Sequence, residues 1–205
     1  MSFYEKHCLP HIINFACSMK PILRKRQEVV PLASGRVLEV GMGSGLNLPY
    51  YNEENVDMVW GLEPSEGMRN KARSRLGDSS IKVEMIDLPG EEIPLEDNSV
   101  DTVLLTFTLC TIPDWQKALE QMRRVLKPEG KLIFCEHGKS PDQSVAKWQD
   151  RLNPYWNKFA GGCNLNRPMP ELISGGGFKI EELEAEYLPG PRPINYFYRG
   201  IARQI

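Results

Sequence analysis

The chain has no run of apolar residues approaching the ~18 needed to cross a bilayer. Glu5, Lys6 and His7 also interrupt the N-terminus where the apolar core of a secretion leader would lie. Neither a membrane span nor a leader is therefore expected. Charge of one sign is lacking as well: 25 basic and 27 acidic residues leave a net charge of −2, with no basic stripe to track a nucleic-acid backbone. Cysteine is scarce. The five, at 8, 17, 110, 135 and 163, form no C-x-x-C and are odd in number, which argues against a disulfide framework and against a zinc site, so no metal is expected. Such usage fits a reducing cytoplasm. Internal repeats and low-complexity linkers are absent too, and with 41% apolar content the chain is expected to form one domain over 1–205.

What is present begins at Val37-Leu38-Glu39-Val40-Gly41-Met42-Gly43-Ser44-Gly45, an apolar strand running into three glycines at alternate positions. Glycine there lets the backbone turn sharply and approach a ligand that a Cβ would push away, and a following helix, expected near 46–51, would offer free N–H groups. A dinucleotide fingerprint reads G-x-G-x-x-G/A; here the third glycine comes one residue early and Leu46 stands where Gly or Ala is wanted. Two further strands end in acids. Met58-Val59-Trp60-Gly61-Leu62 runs into Glu63, placed to accept from a ribose diol, and Ile81-Lys82-Val83-Glu84-Met85-Ile86 runs into Asp87, placed to bond an adenine amino group.

Strands are read near 36–40, 57–62, 81–86, 100–106, 130–136, 178–184 and 195–201. Helices near 65–76, 114–126 and 142–158 fall between them, the second capped by Asp114. This alternation predicts an α/β fold with a mostly parallel sheet. Before the first strand, Ile12, Phe15, Met19 and Ile22 recur at helical spacing in a segment interrupted at Pro21. Residues 1–30 are thus a helical cap, read either as packed on the core or as a lid over the acceptor, with Arg24-Lys25-Arg26 as its solvated end.

The glycine loop, Gly61-Leu62-Glu63-Pro64-Ser65 and Arg124-Val125-Leu126-Lys127-Pro128-Glu129-Gly130 together resemble the successive motifs of class I S-adenosylmethionine-dependent methyltransferases. That resemblance implies a Rossmann-like seven-stranded sheet sandwiched by helices, with S-adenosylmethionine as cofactor and S-adenosylhomocysteine as product. It also implies that Gly41, Gly43 and Gly45 approach the methionine moiety, that Glu63 meets the ribose and Asp87 with Leu88 the adenine, and that Glu39, Asn47, Pro64, Met68 and Thr106 complete the cofactor's surroundings. At the end of the fourth strand, Thr106-Phe107-Thr108-Leu109-Cys110 replaces the Asp/Asn-Pro-Pro-aromatic run of enzymes that methylate nucleobase amines, so DNA and RNA are discounted.

Leu109-Cys110-Thr111-Ile112, Cys135-Glu136-His137-Gly138, Trp148-Gln149, Asn153-Pro154-Tyr155-Trp156 and Gly161-Gly162-Cys163-Asn164-Leu165-Asn166-Arg167 resemble animal methyltransferase-like proteins that methylate small thiols, and their bacterial relatives. The animal proteins carry an N-terminal membrane anchor, whereas this chain begins almost at the domain, which favours a cytoplasmic enzyme acting on a small-molecule thiol such as hydrogen sulfide or methanethiol. His137, at the end of the fifth strand, is the candidate to take or steer the proton, or else a structural histidine. Cys110, Trp148, Asn164 and Arg167 are candidates for the acceptor side. Trp148, Tyr155 and Trp156 would form an apolar wall there, Arg167 equally a salt-bridge residue, and Cys110 and Cys163 small buried hydrophobes. Two other readings stay open: a phosphatidylethanolamine N-methyltransferase or quinone C-methyltransferase, and a domain that binds the cofactor without transferring methyl.

Overall fold

The computed structural model describes Tyr4 and residues 8–205, so the reading placed on Glu5, Lys6 and His7 lies outside the described residues. Seven strands form one sheet: β1 (Gly35–Val40), β2 (Val56–Leu62), β3 (Val83–Ile86), β4 (Val100–Thr106), β5 (Leu126–His137), β6 (Phe178–Tyr187) and β7 (Tyr196–Gln204), in the spatial order β3-β2-β1-β4-β5-β7-β6. The first five in that order are parallel, and β7 runs antiparallel between β5 and β6. β1 pairs β2 on one edge and β4 on the other. The strand order therefore reverses at the end of β1, the place where open α/β sheets bind ligands.

The central strands read as near-continuous apolar runs because helices cover both faces. Leu38, Val40, Val103 and Leu105 belong to one buried cluster, while Val37, Leu104 and Ile133 belong to the other. Helix α4 (Trp115–Val125) closes the first layer with Ala118, Leu119, Met122 and Val125, and Asp114 caps it as expected, accepting from the Lys117 N–H at 3.1 Å. Helix α3 (Glu66–Gly77) starts at Ser65, whose hydroxyl accepts from Met68 N–H. No helix among the described residues is long and apolar enough to cross a membrane.

Several boundaries differ from the sequence reading. The stretch 46–51 is a 3₁₀ turn over Leu48–Tyr50, not an α-helix, because Pro49 has no N–H to extend a helical ladder. At Pro21 the N-terminal segment does divide: α1 (Leu9–Cys17) ends before it, and α2 (Lys20–Val29) takes the proline into its first turn, where its missing N–H costs nothing. A short α6 (Met169–Gly175), which hydrophobic spacing did not reveal, follows the long α5 (Gln143–Phe159).

Candidate functional site

The loop leaving β1 is held against the end of β2: Gly41 and Met42 N–H donate to Leu62 O at 2.8 and 3.1 Å. Gly41 has φ +73°, and a Cβ there would meet the Thr108 side chain at 2.3 Å. It therefore needs glycine twice over, for conformation and for space. Gly41→Ala is expected to destabilise the fold by about 1–3 kcal/mol or more, read as a lowered midpoint in urea unfolding. Beside the loop, the Glu63 carboxylate accepts from Gly43 N–H at 2.9 Å and from Ser65 N–H at 2.8 Å.

These groups form one wall of a cavity of about 410 Å³ over the ends of β1, β2 and β4. Gly41, Gly43, Glu63, Pro64, Met68 and Thr106, all expected around a cofactor, line it. Glu39, Asn47 and Gly45 do not: they stand behind the wall. Asn47 Nδ2 donates to Glu39 Oε1 at 2.8 Å and to Thr106 Oγ1 at 2.9 Å, and Tyr51 donates to Glu39 Oε2 at 2.7 Å. Gly45 turns toward Leu48 and Ala72.

Asp87 and Leu88 miss the cavity as well. Asp87 is exposed and pairs with Arg69, one contact being Nη2 to Oδ2 at 2.7 Å, and Leu88 packs against the core. The next three residues, Pro89, Gly90 and Glu91, line the cavity instead. The acid at the strand tip marks the right loop, and the residues after it are the ones that reach the space.

Arg26 is the residue that sequence reasoning misplaced most. Far from being a solvated end, it is 5% exposed and lines the cavity, and Lys25 beside it is buried against Glu28 and Glu186. Arg26 Nη1 donates to Asn47 Oδ1 at 2.7 Å and to Thr106 Oγ1 at 2.9 Å, and the guanidinium sits 4.8 Å from the Phe107 ring centroid. Its Nε is buried without a partner among the described residues. It is also the one cation lining the cavity among them.

Burial pushes the Glu39 carboxyl up from 4.5 to about 7, against the lowering by its Tyr51 bond, the Arg26 charge and its Asn47 bond. A carboxyl raised in the fold contributes stability that is complete below its unfolded pKa and lost as pH climbs through the folded one. The window is therefore pH 4.5 to 7, and the difference between the two corresponds to about 3 kcal/mol. Glu39→Gln keeps an acceptor for Asn47 and is expected to remove that decline. Urea midpoints of the two proteins at pH 5 and pH 8 test this; parallel changes would exclude it.

The far wall comes from α1 and from the turn after β4. Leu9, Pro10, Ile13 and Cys17 face inward, joined by Phe107, Thr108, Thr111 and Ile112. The helix is apolar on its other face too: Ile12 and Phe15, part of the stripe read as packing on the core or forming a lid, are exposed, Phe15 to 74%, as is Met19 in the turn that follows. Phe107 holds φ +58°, rare for an aromatic residue. Behind it, the buried Glu136 carboxylate accepts from Thr108, Leu109 and Cys110 N–H at 2.7, 3.0 and 3.3 Å.

The residues expected on the acceptor side, and His137, are elsewhere. Trp148 is 54% exposed on the outer face of α5 with Arg151 over its ring, and Tyr155 is exposed on the same helix, because that helix turns these aromatics to solvent. Asn164 Nδ2 donates to Cys110 O at 3.0 Å, and Arg167 Nη1 donates to Ile112 O at 2.8 Å and to Leu109 O. Both side chains are spent on tying two loops together. His137 Nε2 lies 2.8 Å from Cys163 Sγ, whose sulfur is 3.6 Å from Cys110 Sγ, and none of the three lines the cavity. The bond with Cys110 and the His137 charge draw the Cys163 thiol below its usual range although burial opposes them.

A methyltransferase-domain family matches residues 38–134. Thiol S-methyltransferase TMT1B of Homo sapiens is 33% identical over 165 residues, covering 78% of this chain and 66% of that protein. Over residues 38–134 the chain thus carries a methyltransferase domain. Thiol S-methyltransferase TMT1A of Homo sapiens is 27% identical over 196 residues, covering 90% of this chain and 79% of that protein. The match thus spans just under two thirds of the length of TMT1B and more of TMT1A.

A solved structure described as an S-adenosylmethionine-dependent methyltransferase, possible histamine N-methyltransferase, from Thermotoga maritima superposes with a TM-score of 0.65 at 21% identity. The superposition covers 98% of this chain and 99% of that one, and at this identity the likeness shows the fold alone. The cradle fits S-adenosylmethionine: left-handed glycines lie at the cavity wall, Glu63 keeps lone pairs for hydroxyl donors, and the orphaned Arg26 Nε is a donor for a carboxylate.

Proposed function

We propose that this methyltransferase transfers a methyl group to the sulfur of a small thiol. The observation that carries the reading is the chemistry of the far wall. Ile13, Phe107, Ile112 and Pro113 are apolar, the Thr111 hydroxyl donates to Thr108 O at 2.7 Å, and Glu91 Oε1 accepts from Asp114 N–H at 3.3 Å. No histidine lines the cavity among the described residues, and the carboxyl beside that wall, Glu91, has one oxygen tied to the backbone. An acceptor that ionises by itself suits such a wall, and a thiol with pKa about 8.5 is partly thiolate at neutral pH. The two human relatives named thiol S-methyltransferases support the same class.

When bound, the cofactor supplies an electrophilic methyl on a sulfonium and leaves as S-adenosylhomocysteine. Glu63 would hold the ribose diol, Arg26 the methionine carboxylate, and Gly41 and Gly43 would let the backbone come close. The far wall excludes water and confines the sulfur, so that most of the rate comes from positioning, worth up to about 7–11 kcal/mol. The inward face of α1 is a lid on that space.

The test is incubation of the purified protein with methyl-labelled cofactor and, in separate reactions, sulfide, methanethiol, a larger alkyl thiol, phosphatidylethanolamine vesicles or a quinone precursor. Methyl sulfides identified by mass spectrometry are the expected products. Label found only in lipid or quinone would overturn the thiol reading, and tight binding without transfer would leave a cofactor-binding module.

A further inference from the structure

One cluster of soft ligating atoms lies outside the cavity wall. Cys110 and Cys163 Sγ and a ring nitrogen of His137 all lie within 4.8 Å of one another. We propose that Cys110, His137 and Cys163 form a binding site for one thiophilic divalent cation of the zinc class.

The spacing suits such an ion. With Zn–S near 2.3 Å and Zn–N near 2.0–2.1 Å, tetrahedral angles place two thiolate sulfurs about 3.8 Å apart and a sulfur and nitrogen about 3.6 Å apart. The sulfurs are 3.6 Å apart already. His137 Nε2, at 2.8 Å from Cys163 Sγ, has to retreat by less than about 1 Å as the metal replaces the hydrogen bond. A disulfide would require the sulfurs to close to about 2.0 Å.

The donor set selects the ion. Two thiolates and an imidazole favour zinc and other soft or borderline metals over magnesium and calcium, which take oxygen. Cys110 and Cys163 are buried and His137 is half-buried, so the ion would be shielded from competing water while an edge stays open to entry.

The ligands are also held in place without a metal. His137 ends β5, and its neighbour Glu136 accepts the Cys110 N–H. Asn164, next to Cys163, donates to Cys110 O through both its backbone N–H and its side chain, each at 3.0 Å. Arg167 secures the same turn through Ile112 O. These bonds supply the outer support that metal ligands need in order to keep their geometry.

Three protein donors leave a tetrahedral ion one position for water or another exogenous ligand. Thr111 and Ile112, which follow Cys110, and Ala160 and Gly161, which precede Cys163, line the cavity. The ion would thus clamp two segments of the cavity wall from behind.

The test uses the full chain, purified reduced, stripped with a chelator and desalted. Cobalt(II) is expected to give thiolate-to-cobalt charge-transfer absorption and tetrahedral d–d bands that saturate at one equivalent and vanish when zinc is added. Zinc should slow modification of the buried thiols by about tenfold or more. Cys163→Ser and Cys110→Ser should each lose charge-transfer intensity, and His137→Ala should weaken zinc binding by at least about 100-fold. Wild-type protein that shows no charge-transfer band and no zinc protection of its thiols overturns the site. So does a reduced protein that ignores both metals yet closes a Cys110–Cys163 disulfide under mild oxidant. Both of these outcomes are read on the wild-type chain, so they stand even if a variant fails to fold.

Discussion

Arg26→Ala is expected to raise the dissociation constant for S-adenosylmethionine by about 10- to 100-fold, the worth of a hydrogen-bonded charge expressed in affinity. The guanidinium lines the cavity, two of its contacts already fix it to Asn47 and Thr106, and its Nε has no partner among the described residues. A ligand carboxylate in the cavity would meet this charge at little ordering cost, since the side chain is immobilised beforehand. Arg26→Lys should recover only part of the loss, because an ammonium keeps the charge without the planar fork. Calorimetric titration of the three proteins gives the answer; an unchanged affinity in the alanine variant would remove Arg26 from the cofactor site. Stability should be followed alongside, since Asn47 Oδ1 and Thr106 Oγ1 lose a buried donor in the same change.

Glu136→Ala is the larger effect on stability. It leaves the N–H groups of Thr108, Leu109 and Cys110 without their acceptor, and a buried donor left unpaired costs about 1–3 kcal/mol. At least about 3 kcal/mol is expected, a fall in Tm on the order of 6–12 °C for a chain of this size. Glu136→Gln keeps one carbonyl oxygen for Thr108 and Leu109, so its loss should be less than half as great. Thermal unfolding followed by calorimetry separates the two, and equal melting temperatures for Ala and wild type would show that the turn finds its acceptors elsewhere.

The parts of this molecule that were legible in the sequence are those whose physics is local. The glycine loop announces itself through positions that need φ > 0, Glu63 through its place at a strand end, and α4 through an N-cap and an apolar stripe that fall where expected. Asp87 and Leu88 fall a few positions short of the cavity because an exposed strand-end acid can equally pair with a neighbouring arginine, as Asp87 does with Arg69. Arg26 was hidden for a different reason. In a run of three basic residues nothing local distinguishes the one whose charge is buried, because its partners Asn47 and Thr106 are 21 and 80 residues away. Cys110, His137 and Cys163 likewise meet across separations of 53 and 26 residues, so a search for closely spaced ligand pairs passes over them.

Helix α1 makes a thermodynamic point about the cavity it covers. Pro10 is its one buried residue, and its outer face leaves Ile12 and Phe15 in water. Its specific ties among the described residues are few, Ser44 donating to Asn14 Oδ1 at 2.7 Å being one of them. Detaching such a segment exposes little that was buried, so its opening free energy lies at the low end of the range that local unfolding spans, far below that of β4 or β5. The helix over the site is therefore expected to open many times for every global unfolding, so that its amides exchange with solvent well before those of β4 and β5.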